Sequence, residues 1–248
     1  MARGLSTRSR FLIAYLVLGA AVGTGIGVFI VLLERPGPKP PPAWSSWKPP
    51  AGNTVARTRQ IATHVGNGYR LASGVPLNRI VIGAPGQARN TVRAIGIQKT
   101  LQAKTLNDFE LYDQSKSVMY VLCGAGKSCK LQGKASVGRG TVVRREALEL
   151  ALYTLKYADS IDNVVVFVPP GPQEKKLSNA LFFRRQDLSP ELDHPLKATL
   201  PQSKPPLPGK IDKQEQTTVD NLTRERLYRY LGLANAHNFG QVVVLQPA

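Results

Sequence analysis

The sequence predicts an α+β domain, a mixed sheet with two or three packed helices, tethered by one N-terminal transmembrane helix. Three observations predict it. Residues 11 to 33, FLIAYLVLGAAVGTGIGVFIVLL, run for 23 positions without a charge, about 34 Å as a helix against a hydrocarbon core roughly 30 Å thick. Proline punctuates residues 34 to 52. Beyond Asn53, β-branched runs alternate with amphipathic stretches of helical period, the pattern of a sheet covered by helices.

The apolar stretch is expected to be an uncleaved signal anchor. A cleaved signal peptide has an apolar region of about 7 to 15 residues and a small-residue cleavage site, whereas ERPGPKPPP follows here. Arg3, Arg8 and Arg10 precede the span, and Glu34, Arg35 and Lys39 follow it. The positive-inside rule then keeps residues 1 to 10 in the cytoplasm and sets the rest outside. Gly19, Gly23 and Gly27 recur every fourth residue, with Ala21 and Gly25 repeating the spacing on an adjacent strip. Such strips let two helices approach backbone to backbone, as a homodimer or with another membrane protein; the alternative is the general abundance of glycine in membrane helices.

Residues 34 to 52 contain Pro36, Pro38, Pro40, Pro41, Pro42, Pro49 and Pro50, a density that favours polyproline geometry and a semi-rigid stalk. Trp44 and Trp47 have two uses there, as anchors in the headgroup layer or as packing on the following domain.

Residues 53 to 248 are expected to form the extracytoplasmic domain. Asn53 or Thr54 opens a short helix stopped near Gly66, and NRIVIG (78–83) is a strand. TVRAIGIQ (91–98) is ambiguous, and residues 117 to 132 suit a hairpin. Residues 141 to 158 give the strongest helical signal of the domain, with Leu148, Ala151, Leu152 and Leu155 on one face. NVVVFVPP (163–170) is a buried strand ended by proline, and 201 to 216 a proline-rich surface loop. TRERLYRYLGLANAHN (223–238) suits a helix and FGQVVVLQP (239–247) a strand. Helix, turn and triple valine thus occur twice, by duplication or by chance.

The two cysteines stand in CGAGKSC, Cys123 and Cys129. A phosphate-cradling loop needs glycine five positions before Gly126, where Val121 stands. A redox motif has two intervening residues, not five, and zinc needs further ligands from three histidines and the carboxylates. Outside the cytoplasm the pair is expected to form a disulfide, stabilising the fold by roughly 2 kcal/mol, with Gly124 and Gly126 supplying permissive dihedrals.

Charge bounds the partners. Lys and Arg number 33 against 16 Asp and Glu, a net +17, and residues 36 to 248 hold 29 against 15. A unit this basic attracts acidic lipid headgroups or anionic envelope polymers, unless the charge serves solubility alone. Nucleic acid is not favoured, because the aromatic residues form no stacking platform. In GKASVGRGTVVRR, Gly138 and Gly140 stand just before a helix start, with Arg139, Thr141, Arg144 and Arg145 around them. Helix-start amides favour an anion there; the alternative is a plain turn whose arginines meet water, Glu146 or Glu149.

Signals for catalysis, cofactors or metals are weak. The chain has no Gly-x-Ser-x-Gly, no His-Glu-x-x-His and no acidic cluster, and His64, His194 and His237 are scattered. Asp193-His194 before Pro195 marks a turn, and Glu146 and Glu149 suit a solvated helix flank. Asn221-Leu222-Thr223 is a formal glycosylation sequon. The layout is similar to that of single-pass subunits of bacterial envelope assemblies, by architecture and not by motif. The expected function is non-catalytic binding or scaffolding at the cell envelope. The alternative is a tethered enzyme acting on an anionic envelope substrate, which would join a concave pocket to groups of perturbed titration.

Overall fold

The computed structural model describes residues 7–34, 42–85, 92–103, 105–126, 129–131, 136–171, 173–236 and 240–248. Contacts divide the chain into Met1–Pro42 and Ala43–Ala248. In the first unit, helix α1 spans Thr7–Glu34. Its segment Phe11–Phe29 is long and apolar enough to cross a membrane and buries nothing within the protein. Thr24 donates its hydroxyl to the Ala20 carbonyl at 2.9 Å, so that hydroxyl is satisfied within the helix. Gly19, Gly23 and Gly27 leave open space where a Cβ would stand. Arg3, Lys39 and the prolines from Pro36 to Pro41 lie outside the described residues.

The second unit begins at Ala43, ten residues before the composition changes. The reason is aromatic. Trp44 meets Tyr153 and Tyr157 edge to face, with ring centroids 5.4 and 5.6 Å apart, and donates its indole N–H to the Glu191 carbonyl. Trp47 stacks on His64 at 3.8 Å. Both indoles are therefore spent on the protein, and Pro49 is buried behind them.

Among the described residues, eight strands form one mixed sheet: β1 (Asn78–Ile82), β2 (Val92–Gln98), β3 (Phe109–Asp113), β4 (Ser117–Gly124), β5 (Asn163–Val168), β6 (Asn179–Arg184), β7 (Leu227–Ala236) and β8 (Gly240–Pro247), in the order β1-β4-β5-β6-β7-β8-β2-β3. β4 with β5 and β2 with β8 are parallel; the other pairs are antiparallel. The order forces the sheet to curl. A three-residue turn, Gln114–Lys116, joins β3 to β4 and reaches about 14 Å, yet the two strands are six places apart, roughly 29 Å in a flat sheet. The sheet closes on itself as an open barrel.

Two cores follow from that curl. Inside it, Met119 and Val121 of β4, Val165 and Phe167 of β5 and Phe182 of β6 pack against Ile95 and Ile97 of β2 and Val243 and Leu245 of β8. The Tyr112 and Phe182 rings meet across the interior at 4.8 Å. Outside it, Tyr120, Leu122, Val164, Val166, Leu181 and Phe183 meet helices α2 (Thr54–Gly68), α3 (Val137–Tyr157) and α6 (Lys213–Arg224). Successive residues of β5 thus point to different cores, which explains its unbroken apolar run. Short helices α4 (Ser189–Asp193) and α5 (Leu196–Thr199) complete the unit.

Several elements differ from the sequence expectation. Asn53 caps α2 as expected, accepting from the Ala56 N–H at 2.9 Å, although the helix runs on to Gly68. Residues 92 to 98 resolve as a strand, and β3 and β6 arise without a clear sequence signal. Helix α6 starts inside the expected surface loop, and Pro206 of that loop is buried. Leu227–Ala236 is a strand and not a helix, because it pairs with both β6 and β8 and bends at a bulge before Gly232, whose φ is +129°. The duplication therefore fails: α3 leads to a strand parallel to β4, whereas α6 leads into an antiparallel hairpin. The described residues of 117–132 form no hairpin either, since β4 pairs with β1 and β5.

Candidate functional site

Helix α3 starts four residues earlier than its apolar period suggests, capped by Ser136, whose Oγ accepts from the Arg139 N–H. Gly138, Arg139, Gly140, Thr141, Arg144 and Arg145 therefore lie in its first turns, and the helical twist divides them. Thr141 is buried and donates to the Val137 carbonyl. Arg144 donates to Asp220 of α6 at 2.6 Å and to Thr223. Arg145 is 1% exposed, with every arm of its guanidinium engaged. Nε donates to Glu215 at 2.6 Å, Nη1 to Glu149 at 2.8 Å and to the Tyr69 hydroxyl, and Nη2 to the Gln202 carbonyl at 2.8 Å. Arg144 and Arg145 are thus both ion-paired within the protein, Arg144 at a partly exposed site and Arg145 in the core.

Gly138, Arg139 and Gly140 remain at the helix mouth. A Cβ on Gly138 would fall 2.8 Å from the Gly209 nitrogen, so only glycine lets the 207–210 loop close over the helix end. The closure leaves a cleft of about 480 Å³, with Arg139, Lys210, Ser73 and Ser136 as its polar lining and Leu71 and Leu207 on its walls. No acidic side chain is among the described lining residues. Two cations, two hydroxyls and the positive end of a 21-residue helix give this cleft the chemistry of a carboxylate or phosphate receptor.

Cys123 and Cys129 lie at disulfide distance, with S–S 2.00 Å. The glycines between them work by close approach, not by unusual dihedrals. A Cβ on Gly124 or Gly126 would stand 2.3 or 2.8 Å from the Lys130 carbonyl oxygen, and among the described residues of the loop the left-handed one is Cys129, φ 62°. A second cleft, about 540 Å³, borders this clasp and Arg79.

Groups of perturbed titration lie elsewhere. Glu146 and Glu149 are not a solvated flank, for Glu146 is fully buried and the Glu149 side chain is only 12% exposed. Burial pushes the Glu146 carboxyl up to about 8. Burial also raises Glu149, against the pull of Arg145 and the Tyr69 hydroxyl, and holds Tyr69 well above the ordinary tyrosine range. None of these groups lines either cleft. His64 is lowered by burial under Trp47, and His194 Nδ1 lies 2.8 Å from the Pro190 carbonyl in a turn, while His237 falls outside the described residues. Thr223 of the sequon is buried in α6. Among the described residues no group of three or more His, Cys, Asp or Glu is placed to hold a metal ion.

Asn78, Tyr69 and Glu215 escaped the sequence reading. One signal was available: Thr141, Arg145, Leu148, Leu152 and Leu155 share a single helical stripe, which puts Arg145 on the buried face.

No family model, curated protein or solved structure matches this chain.

Proposed function

We propose that this chain is a single-pass membrane protein with a cytoplasmic N-terminus and an extracytoplasmic second unit. It serves as a non-catalytic binding or scaffolding component of the cell envelope. That unit takes an anionic group, from a lipid headgroup or an envelope polymer, in the cleft at the start of α3. The observation that carries the reading is the pairing of Arg139 and Lys210 on one cleft at the positive end of a long helix. The excess of 29 basic over 15 acidic residues beyond position 35 adds a field that draws anions toward it. A cysteine pair at disulfide distance suits an oxidising compartment, and Gly19, Gly23 and Gly27 supply a pairing strip in α1.

Binding is favoured over catalysis by a separation in space. An active site joins a cleft to groups of perturbed titration, whereas here Glu146 and Tyr69 are buried in the core, Glu149 is nearly so, and none of the three lines the cationic cleft.

The test uses the full chain in zwitterionic nanodiscs, titrated with phosphatidylglycerol vesicles and, separately, with soluble poly(glycerol phosphate). Arg139→Ala/Lys210→Ala is expected to weaken binding about tenfold, as loss of roughly 1.4 kcal/mol requires, and added salt to weaken it further. Vesicle binding alone assigns a headgroup, and polymer binding alone an envelope polymer. Equal affinity of wild type and variant for both probes overturns the reading.

A further inference from the structure

We infer that a cleft at one end of the open seam of the curled sheet is a second binding site, for an uncharged ligand that joins an apolar body to hydroxyl or amide groups. The seam exists because β1 and β3 are the two ends of the strand order and do not pair with each other. At one end of it the residues leaving β1, entering β2 and entering β4 converge with the first turn of α2 and the loop before β5. They enclose about 400 Å³, within the roughly 300 to 1,000 Å³ usual for small-molecule sites.

The lining selects the ligand class. Ile82, Val92 and Met119 supply the apolar wall. Thr54, Ser115 and Ser160 bring hydroxyls to the rim, and Thr54 and Ser160 lie 2.9 Å apart with either able to donate. Fourteen described residues line the cleft and none is Asp, Glu, Lys, Arg or His, where the chain's 20% charge would place about three. A charged ligand would lose its water there and gain no counter-charge from the described lining residues. A neutral hydroxyl or amide meets groups that both donate and accept, and an alkyl segment replaces water against the apolar wall. The site is thus opposite in chemistry to the cationic cleft at α3, and its lining shares no residue with that cleft.

The probe is a diazirine-bearing octanol, photolysed with the full chain in nanodiscs, the adducts being mapped by mass spectrometry. Labelling is expected on the peptides carrying Ile82 or Met119, reduced several-fold by excess 1-octanol. Ser115→Trp and Ser160→Trp, both at exposed rim positions, should each reduce it several-fold as well. The matching diazirine-bearing octanoate should label these peptides at least several-fold less. Arg139→Ala/Lys210→Ala should leave octanol labelling unchanged, which separates this site from the anionic one. Labelling spread evenly over the second unit, equal labelling by octanoate, or labelling untouched by both tryptophan variants overturns the inference.

Discussion

Asn78 donates its side-chain N–H to Glu146 Oε2 at 2.6 Å inside the protein, while Asn78 Oδ1 and Glu146 Oε1 are both buried without a hydrogen-bond partner. Two orphan acceptors on one bonded pair are costly when the carboxyl is ionised. A proton on Glu146 removes the buried charge, and it gives that carboxyl a donor. Among the described residues no cation pairs with Glu146, and Arg145 is committed to Glu149, Glu215 and Tyr69.

Glu146 therefore makes stability depend on pH. The folded protein holds this proton up to about pH 8, whereas an ordinary glutamate releases it near 4.5. Between those values the unfolded chain binds fewer protons, so stability falls as pH rises and levels off above about 8. Glu149, also raised by burial, acts in the same direction. Glu146→Gln keeps the shape and removes the charge. Urea unfolding at pH 5, 7 and 9 should show the variant gaining on wild type by roughly 2 to 4 kcal/mol across that range; a difference that stays constant with pH would refute the assignment.

Arg145 is the counter-charge of the core. Its removal leaves Glu215, fully buried, and Glu149 without their cation. Arg145→Ala should cost about 3 to 5 kcal/mol, and Arg145→Met combined with Glu215→Leu should cost less than Arg145→Ala, because the second change removes one of the stranded charges. Denaturant midpoints of the two variants decide it: if the double variant is the weaker, the pair is not acting as a charge pair.

Gly138 and Gly140 occupy the same helix turn and should respond in opposite directions to alanine. At Gly140 a Cβ meets nothing within 4 Å, so Gly140→Ala should stabilise by about 0.5 to 1 kcal/mol through helix propensity. At Gly138 it meets the backbone of Gly209 at 2.8 Å. Gly138→Ala should lower the melting temperature and loosen the 207–210 loop in hydrogen exchange; equal shifts for the two variants would mean the loop is not held there.

Gly23 lies at the middle of the small-residue strip of α1. In a membrane-reporter dimerisation assay, Gly23→Ile should reduce the signal sharply, since a branched side chain keeps the helices apart. An unchanged signal removes the strip as a pairing surface.

Much of the unit was legible in local pattern. The period of 3.6 marks α3, the asparagine cap marks α2, and the runs at 78–82 and 163–168 mark β1 and β5. Strand β7 was not legible, because its Leu, Tyr and Arg residues suit either period and the choice fell to pairing with β6 and β8. The candidate set around α3 was legible as a cluster of positive charge, but not as two groups with different fates. Arg139 and Arg145 differ only in which neighbours the fold brings to them, and those neighbours lie up to 76 residues away.

An apolar helix able to cross a membrane, a strongly basic unit and a nearby cysteine pair follow from the order of residues alone, since each depends on composition or on contacts a few positions apart. The curl of the sheet and the burial of Arg145 and Glu146 were decided by tertiary structure. The physical reason is that a charged side chain costs or contributes free energy according to the dielectric and the partners around it, and both are set by chain segments distant in sequence.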